Sequence, residues 1–207
     1  MQTPPRTDPP YVPIRTTAWP VRRTPRWWLP VGLVTVIAAV LVGIAVHPSR
    51  SQRATDLNGF LSDMKYDIQS CAGGVRESLL ALHAIEAGSS DVGTAIRTAT
   101  YGSANCSPAN NMQLDDLVGY QVQESLSAFG LNRVVYGLVT WATPDALRVQ
   151  ADVAAVLRDS GAARTAATAK LHQDLRILDN QRTYVDRIMT SAIRATGATG
   201  SPPPLPG

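Results

Sequence analysis

LNGFLSDMKYDIQSCAGGVRESLLALHAI, residues 57–85, is the stretch that decides the fold. Leu57, Leu61, Met64, Ile68, Cys71, Val75, Ser78, Leu82 and Ile85 follow one another in alternating steps of four and three. That spacing keeps side chains on one stripe of an α-helix, and it predicts a helix of about 35 residues, about 50 Å long at ~1.5 Å per residue. A helix of that length has to find a partner for its stripe. A second series supplies one: Ala167, Leu171, Asp174 or Leu175, Leu178, Val185, Ile188 or Met189, and Ala192, ending before Gly197 as a C-terminal stop.

Shorter helices are expected between the two. Ser90 is placed to cap a run from Asp91 to about Tyr101. Leu114, Leu117, Val118, Val122, Leu126 and Phe129 outline another helix, interrupted near Gly130 and resumed through Val134, Leu138 and Trp141. Thr143, Pro144 and Asp145 form a start signal: a capping hydroxyl, a proline at the first helical position and an acid at the positive helix end, with Gly161 as the stop. No segment combines two-residue alternation with hairpin turn chemistry. The expected fold class is therefore all-α, a helical bundle with two long amphipathic helices and several shorter ones.

Composition sets the outer bounds. The chain has 207 residues, of which 44% are hydrophobic and 17% charged, with two cysteines. It is too sparsely charged for a coiled-coil rod, too poor in cysteine for a disulfide framework and too apolar for a disordered chain. Seventeen of the 19 basic residues are arginine and 27 residues are alanine, a skew that reads as the codon bias of a GC-rich bacterial genome. The net charge of +3 is an average over unlike regions. Residues 1–30 carry Arg6, Arg15, Arg22, Arg23 and Arg26 against Asp8, residues 31–49 carry no formal charge, and residues 50–207 hold 14 basic and 15 acidic side chains. The basic character belongs to the N-terminal tail, so a nucleic-acid partner, which needs clustered cations on a folded face, is not expected.

Residues 27–49 are uncharged, and 29–46 are almost entirely Val, Leu, Ile, Ala and Gly. About 20 apolar residues in a helix cross a ~30 Å hydrocarbon core. Trp27 and Trp28 suit the headgroup boundary, and Arg22, Arg23 and Arg26 stand just before it. Arg50, Arg53 and Lys65 follow on the other side, so the positive-inside bias is modest and points to a cytoplasmic N-terminus. The expectation is a signal anchor in the plasma membrane, single-pass, with the C-terminal domain extracytoplasmic and the lipid bilayer as its first partner.

A cleaved signal peptide, cut after Ala45, is the rival; it would have an n-region of about 28 residues and an overlong apolar stretch. A twin-arginine signal at Arg22 and Arg23 is disfavoured by Thr24, Pro25 and Arg26, and a buried core helix by the lack of any polar face. Residues 1–26 hold seven prolines and read as a disordered cytoplasmic tail, attracted through its arginines to anionic lipid. Residues 197–207, with Pro202, Pro203, Pro204 and Pro206, read as a second disordered tail. The helical bundle is expected over 50–196.

Cys71 lies on the apolar stripe and Cys106 in the polar loop 102–111. In an oxidising compartment two cysteines make one bridge, which pins that loop to the bundle. No histidine is placed to activate either sulfur. His83 and Glu86 share a helix face, as do Asp179 and Asp186, but a di-metal bundle needs several inward carboxylates and two Glu-x-x-His units. Asp115 and Asp116 near a helix start suit the helix dipole better than general acid–base work. No metal-ligand, nucleophile-elbow or phosphate-loop motif occurs, so no cofactor, metal or catalytic residue is expected.

These features favour a non-enzymatic module of the cell envelope that presents a bundle face to a partner protein or to a second copy, with Gly32, Ala39 and Gly43 as small residues in the span, of which Ala39 and Gly43 keep the small-xxx-small spacing. A ligand-sensing bundle working with a separate transmitter is the second reading. An enzyme acting on envelope polymers through Glu77, Glu86 or Glu124 is the third, and it has only the polarity of those residues behind it.

Overall fold

A computed structural model describes residues 48–88 and 91–206, which are all-helical with no strand. Helix α1 spans Arg50–Glu86, 37 residues. Ser49 caps it, its Oγ accepting from the Gln52 N–H at 3.1 Å, and Gly88 at φ +71° turns the chain away at the far end. The stripe read from the sequence is the buried face: Leu57, Leu61, Met64, Ile68, Cys71, Val75, Ser78 and Leu82 are all enclosed. The other long helix, α6, spans Gly161–Thr196 and ends at Gly197 with φ +79°, whose N–H closes on the Ile193 carbonyl at 2.8 Å. Its buried residues are Leu171, Asp174, Leu178, Val185, Met189, Ala192 and Thr196. The Arg50 guanidinium donates to the Thr196 carbonyl at 3.3 Å, so the start of α1 meets the end of α6.

Between them run α2 (Val92–Ala104), α3 (Met112–Gly119), α4 (Asn132–Thr140) and α5 (Leu147–Arg158), with a single 3-10 turn at Pro108–Asn110 and a six-residue 3-10 helix at Glu124–Phe129. Helix α1 packs on α2, α2 on α5, α5 on α6, and α4 on α6, while α3 lies against α1. The α1–α2 crossing is set by two glycines. A methyl carbon on Gly74 would lie 2.8 Å from the Cα and carbonyl oxygen of Gly102, and one on Gly102 would lie 2.8 Å from the Gly74 oxygen. Backbone meets backbone there, which no larger residue permits.

Several local expectations change. Asp91 caps α2, accepting from the Thr94 N–H at 2.8 Å, and the helix runs to Ala104, beyond Tyr101. The middle helix does not continue from Leu114 to Phe129: it stops at Gly119, and Tyr120 turns extended. The Tyr120 ring packs edge-on to Phe60, with centroids 5.7 Å apart, and its hydroxyl donates to Asp63 Oδ2 at 2.9 Å. Those contacts replace the helical bonds that a glycine–tyrosine step holds weakly. At Thr143 the backbone leaves the helical region (φ −137°, ψ 109°), as the proline that follows favours. The Thr143 hydroxyl, expected as a helix cap, donates to the Cys106 carbonyl. Gly161, expected as a stop, is the first residue of α6; α5 already ends at Arg158.

The C-terminal segment departs furthest from its sequence reading as a disordered tail. Residues 198–206 form neither helix nor strand, yet they lie against α1. Ala198 and Leu205 are buried, and Asn58 Oδ1 accepts from both the Thr199 and Gly200 N–H groups, at 3.1 and 2.8 Å. The reason is that α1 still has apolar surface for the tail to cover, from Leu61 to Ala72, a partner about 140 positions away in sequence.

The expected tail 1–26 and nearly all of the expected span 27–49, with Arg22, Arg23, Arg26, Trp27 and Trp28, lie outside the described residues. Among the described residues, no helix is long and apolar enough to cross a membrane.

Candidate functional site

Cys71 and Cys106 are joined as a disulfide across a sequence separation of 35, and both are fully buried. The bridge ties the middle of α1 to the loop after α2, three residues from the Gly74–Gly102 crossing. Thr143 reaches the same loop through the Cys106 carbonyl, so α1, the 105–111 loop and the α4–α5 kink meet at one junction. Asn111 Nδ2 closes the loop by donating to the Asn105 carbonyl at 2.6 Å. This is a structural junction: the sulfurs are spent on each other, and no histidine adjoins them in sequence.

Two groups of carboxylates lie at helix interfaces. On α1, Asp67 is only 6% exposed. Burial, with Asp63 and Asp116 adding like charge, pushes its carboxyl up to about 6. Burial and the hydrogen bond to Asp63 likewise raise the Tyr120 phenol. Asp145, in the kinked segment just before α5, Asp152 on α5 and Asp174 on α6 are all buried, and Lys170 Nζ bridges Asp152 Oδ1 and Asp174 Oδ2, the latter at 3.2 Å. Burial raises Asp152 against the pull of Lys170, while for Asp174 the bonds from Asp152 and Lys170 outweigh burial and hold its carboxyl low. Burial also raises Asp145 against Arg148, 3.5 Å away. One cation thus holds two buried carboxylates together, which locks α5 to α6.

These acids do not assemble a reaction centre. Among the described residues, no three His, Cys, Asp or Glu side chains come together as a metal site. His83 and His172 are exposed, as are Glu77, Glu86 and Glu124. The open depressions lined by Thr183, Asp186 and Arg187, by Asn110, Asn111 and Asp115, and by Arg164, Thr168 and His172 hold none of those three glutamates. Asp179 pairs with Arg182 on its own helix, and burial raises Asp186 against Arg182.

The feature that composition concealed is on α1. Lys65, Ile68, Gln69, Ala72, Gly73 and Arg76, together with Pro204 of the C-terminal segment, line a groove of about 220 Å³. Arg76 Nη2 donates to the Pro204 carbonyl at 3.5 Å. The sequence signal for it was available: four prolines close to a leucine, with carbonyls free to accept, and a helix that carries a small residue, Ala72, and a bare glycine, Gly73, beside its stripe.

Comparison with known protein families, with characterised proteins and with solved structures finds nothing that matches this chain.

Proposed function

We propose that the chain is a single-pass membrane protein that holds its helical unit outside the plasma membrane and presents it to a partner protein or a second copy, with no catalytic step of its own. The anchor rests on residues 27–49, whose length, lack of charge, flanking tryptophans and preceding arginines suit a membrane span with a cytoplasmic N-terminus. The disulfide fits an oxidising compartment.

One observation carries the interaction reading. Gly59, Tyr66, Gly73 and Leu80 stand seven residues apart on α1, a line that drifts by only ~20° per step. Tyr66 is 57% and Leu80 59% exposed, and a methyl carbon on Gly59 or Gly73 meets nothing within 4 Å. Large apolar side chains alternate there with bare backbone, the relief that another helix can fit. The bundle's own core lies on the opposite face and does not need them.

Crosslinking in intact membranes tests the reading. Recovery of a crosslinked pair that is lost on Tyr66→Ser or Leu80→Ser is expected; recovery of monomer alone, with those substitutions silent, overturns it. A cysteine placed at exposed Thr165 should react with a membrane-impermeant maleimide from outside the cell. Labelling only after the membrane is opened would overturn the orientation.

A further inference from the structure

We propose that residues 198–206 are a displaceable strap, and that the α1 groove they occupy receives a proline-rich, acidic segment of a partner protein in their place. This deepens the interaction reading and rests on it.

The first argument is what the groove reads. Asn58 takes two successive main-chain N–H groups of the strap, and Arg76 reaches a main-chain carbonyl. A methyl carbon on Gly200 would lie 2.9 Å from Leu61 Cδ1, so the strap's backbone itself lies on the helix. Few side chains are recognised: Ala198, Pro203 and Leu205 are the buried apolar ones. A proline-rich backbone leaves its carbonyls free and is already extended, so little ordering entropy is lost when it docks. Contacts of this kind do not distinguish the strap from another segment with the same backbone and one leucine-sized residue.

The second argument is incomplete filling. About 220 Å³ stays open beside Pro204, several times the ~30 Å³ that one water occupies in the liquid. Gly73 forms part of this groove and has nothing within 4 Å of its missing Cβ. The third is charge. Lys65 and Arg76 line the open part, and among the described residues neither has an ion-pair partner. No side chain of residues 197–207 carries a formal charge to meet them. A competing segment with carboxylates at that end gains two attractions that the strap does not make.

The strap is also built to leave. It is attached through Gly197 at φ +79°, a hinge outside the helix, and it adds no strand or helix bonds to the fold. Displacing it exposes the groove without unwinding α1 or α6.

The test uses the full chain in detergent micelles and three labelled peptides: GSPPPLPDE, its basic counterpart GSPPPLPKK, and GSAAALADE. On the unaltered chain, excess GSPPPLPDE should speed amide hydrogen exchange at Thr199 and Gly200 as the strap is displaced. Leu205→Ser, or Gly200→Val as a second loosened chain whose side chain crowds Leu61 and Asn58, should bind GSPPPLPDE at least 10-fold more tightly than the unaltered chain. Gly73→Leu should abolish that binding with helical content kept, and Lys65→Glu with Arg76→Glu should turn the preference to GSPPPLPKK. Equal binding of GSAAALADE, or unchanged exchange at Thr199 and Gly200 under saturating GSPPPLPDE, overturns the proposal. Membrane crosslinks through Tyr66 that persist in that case leave the interaction reading standing, so the two failures are distinguishable.

Discussion

Replacing Gly74 by alanine should destabilise the protein, while the same substitution at the adjacent Gly73 should stabilise it. Both glycines sit inside α1, where alanine is favoured over glycine by about 0.8–1.0 kcal/mol. At Gly73 a methyl group meets nothing within 4 Å, so the gain is felt in full. At Gly74 the methyl carbon would lie 2.8 Å from Gly102 Cα, 2.8 Å from its oxygen and 3.1 Å from its carbonyl carbon. Those atoms are backbone of α2 and cannot swing aside, and the Cys71–Cys106 bridge resists separation of the two segments. Overpacking of this sort costs about 1–3 kcal/mol, and because the helix gain is common to both variants they should differ by about that amount. At roughly 2–4 °C per kcal/mol for a chain of this size, the gap in Tm should be about 2–12 °C. Thermal unfolding followed by circular dichroism under non-reducing conditions reads it. A Gly74→Ala chain as stable as Gly73→Ala would show that the α1–α2 crossing is not a glycine-to-glycine contact.

Other outcomes follow from the same geometry. Cys71→Ala with Cys106→Ala should lower stability by about 3–4 kcal/mol, since the bridge closes a loop of about 35 residues in the unfolded chain; denaturant titration checks it. Asp67 binds its proton more tightly folded than unfolded, so stability should rise as pH falls through about 6 and level off below the ordinary carboxylate range. Asp67→Asn should remove most of that dependence and stabilise the protein at pH 7–8 by about 1–3 kcal/mol. A denaturation series from pH 4 to 8 on both chains decides it. Lys170→Met should destabilise by about 1 kcal/mol at pH 7 by leaving Asp152 and Asp174 without their shared cation, a modest figure because the lysine side chain is 58% exposed. The loss should shrink on acidification as Asp152, whose carboxyl is raised, takes up a proton.

The two long helices were legible because each carries a long stripe, and a stripe of seven to nine positions outweighs any single unfavourable residue. The placement of Asp174 or Leu175 on the second stripe was already a sign that a carboxylate would be buried there, and Asp174 is. Asp67 left no such sign: it stands beside the stripe, and α3 with its following turn encloses it. The middle of the chain was misread at Tyr120, where a helical pattern continues in sequence but an aromatic contact with Phe60 and a hydroxyl bond to Asp63 end it. The cysteine pairing was legible from the count and one cysteine's place on the stripe. The C-terminal segment was not, because proline density tells how a segment folds by itself and not whether a distant helix face needs covering.

Site-directed photocrosslinking in intact membranes tests the central claim most directly, with the reactive side chain placed in turn at Tyr66, at Leu80 and, as a control on another helix, at Thr165. The account predicts one discrete crosslinked product from Tyr66 and Leu80 and none from Thr165. Monomer alone at all three positions, or equal crosslinking at all three, would contradict it.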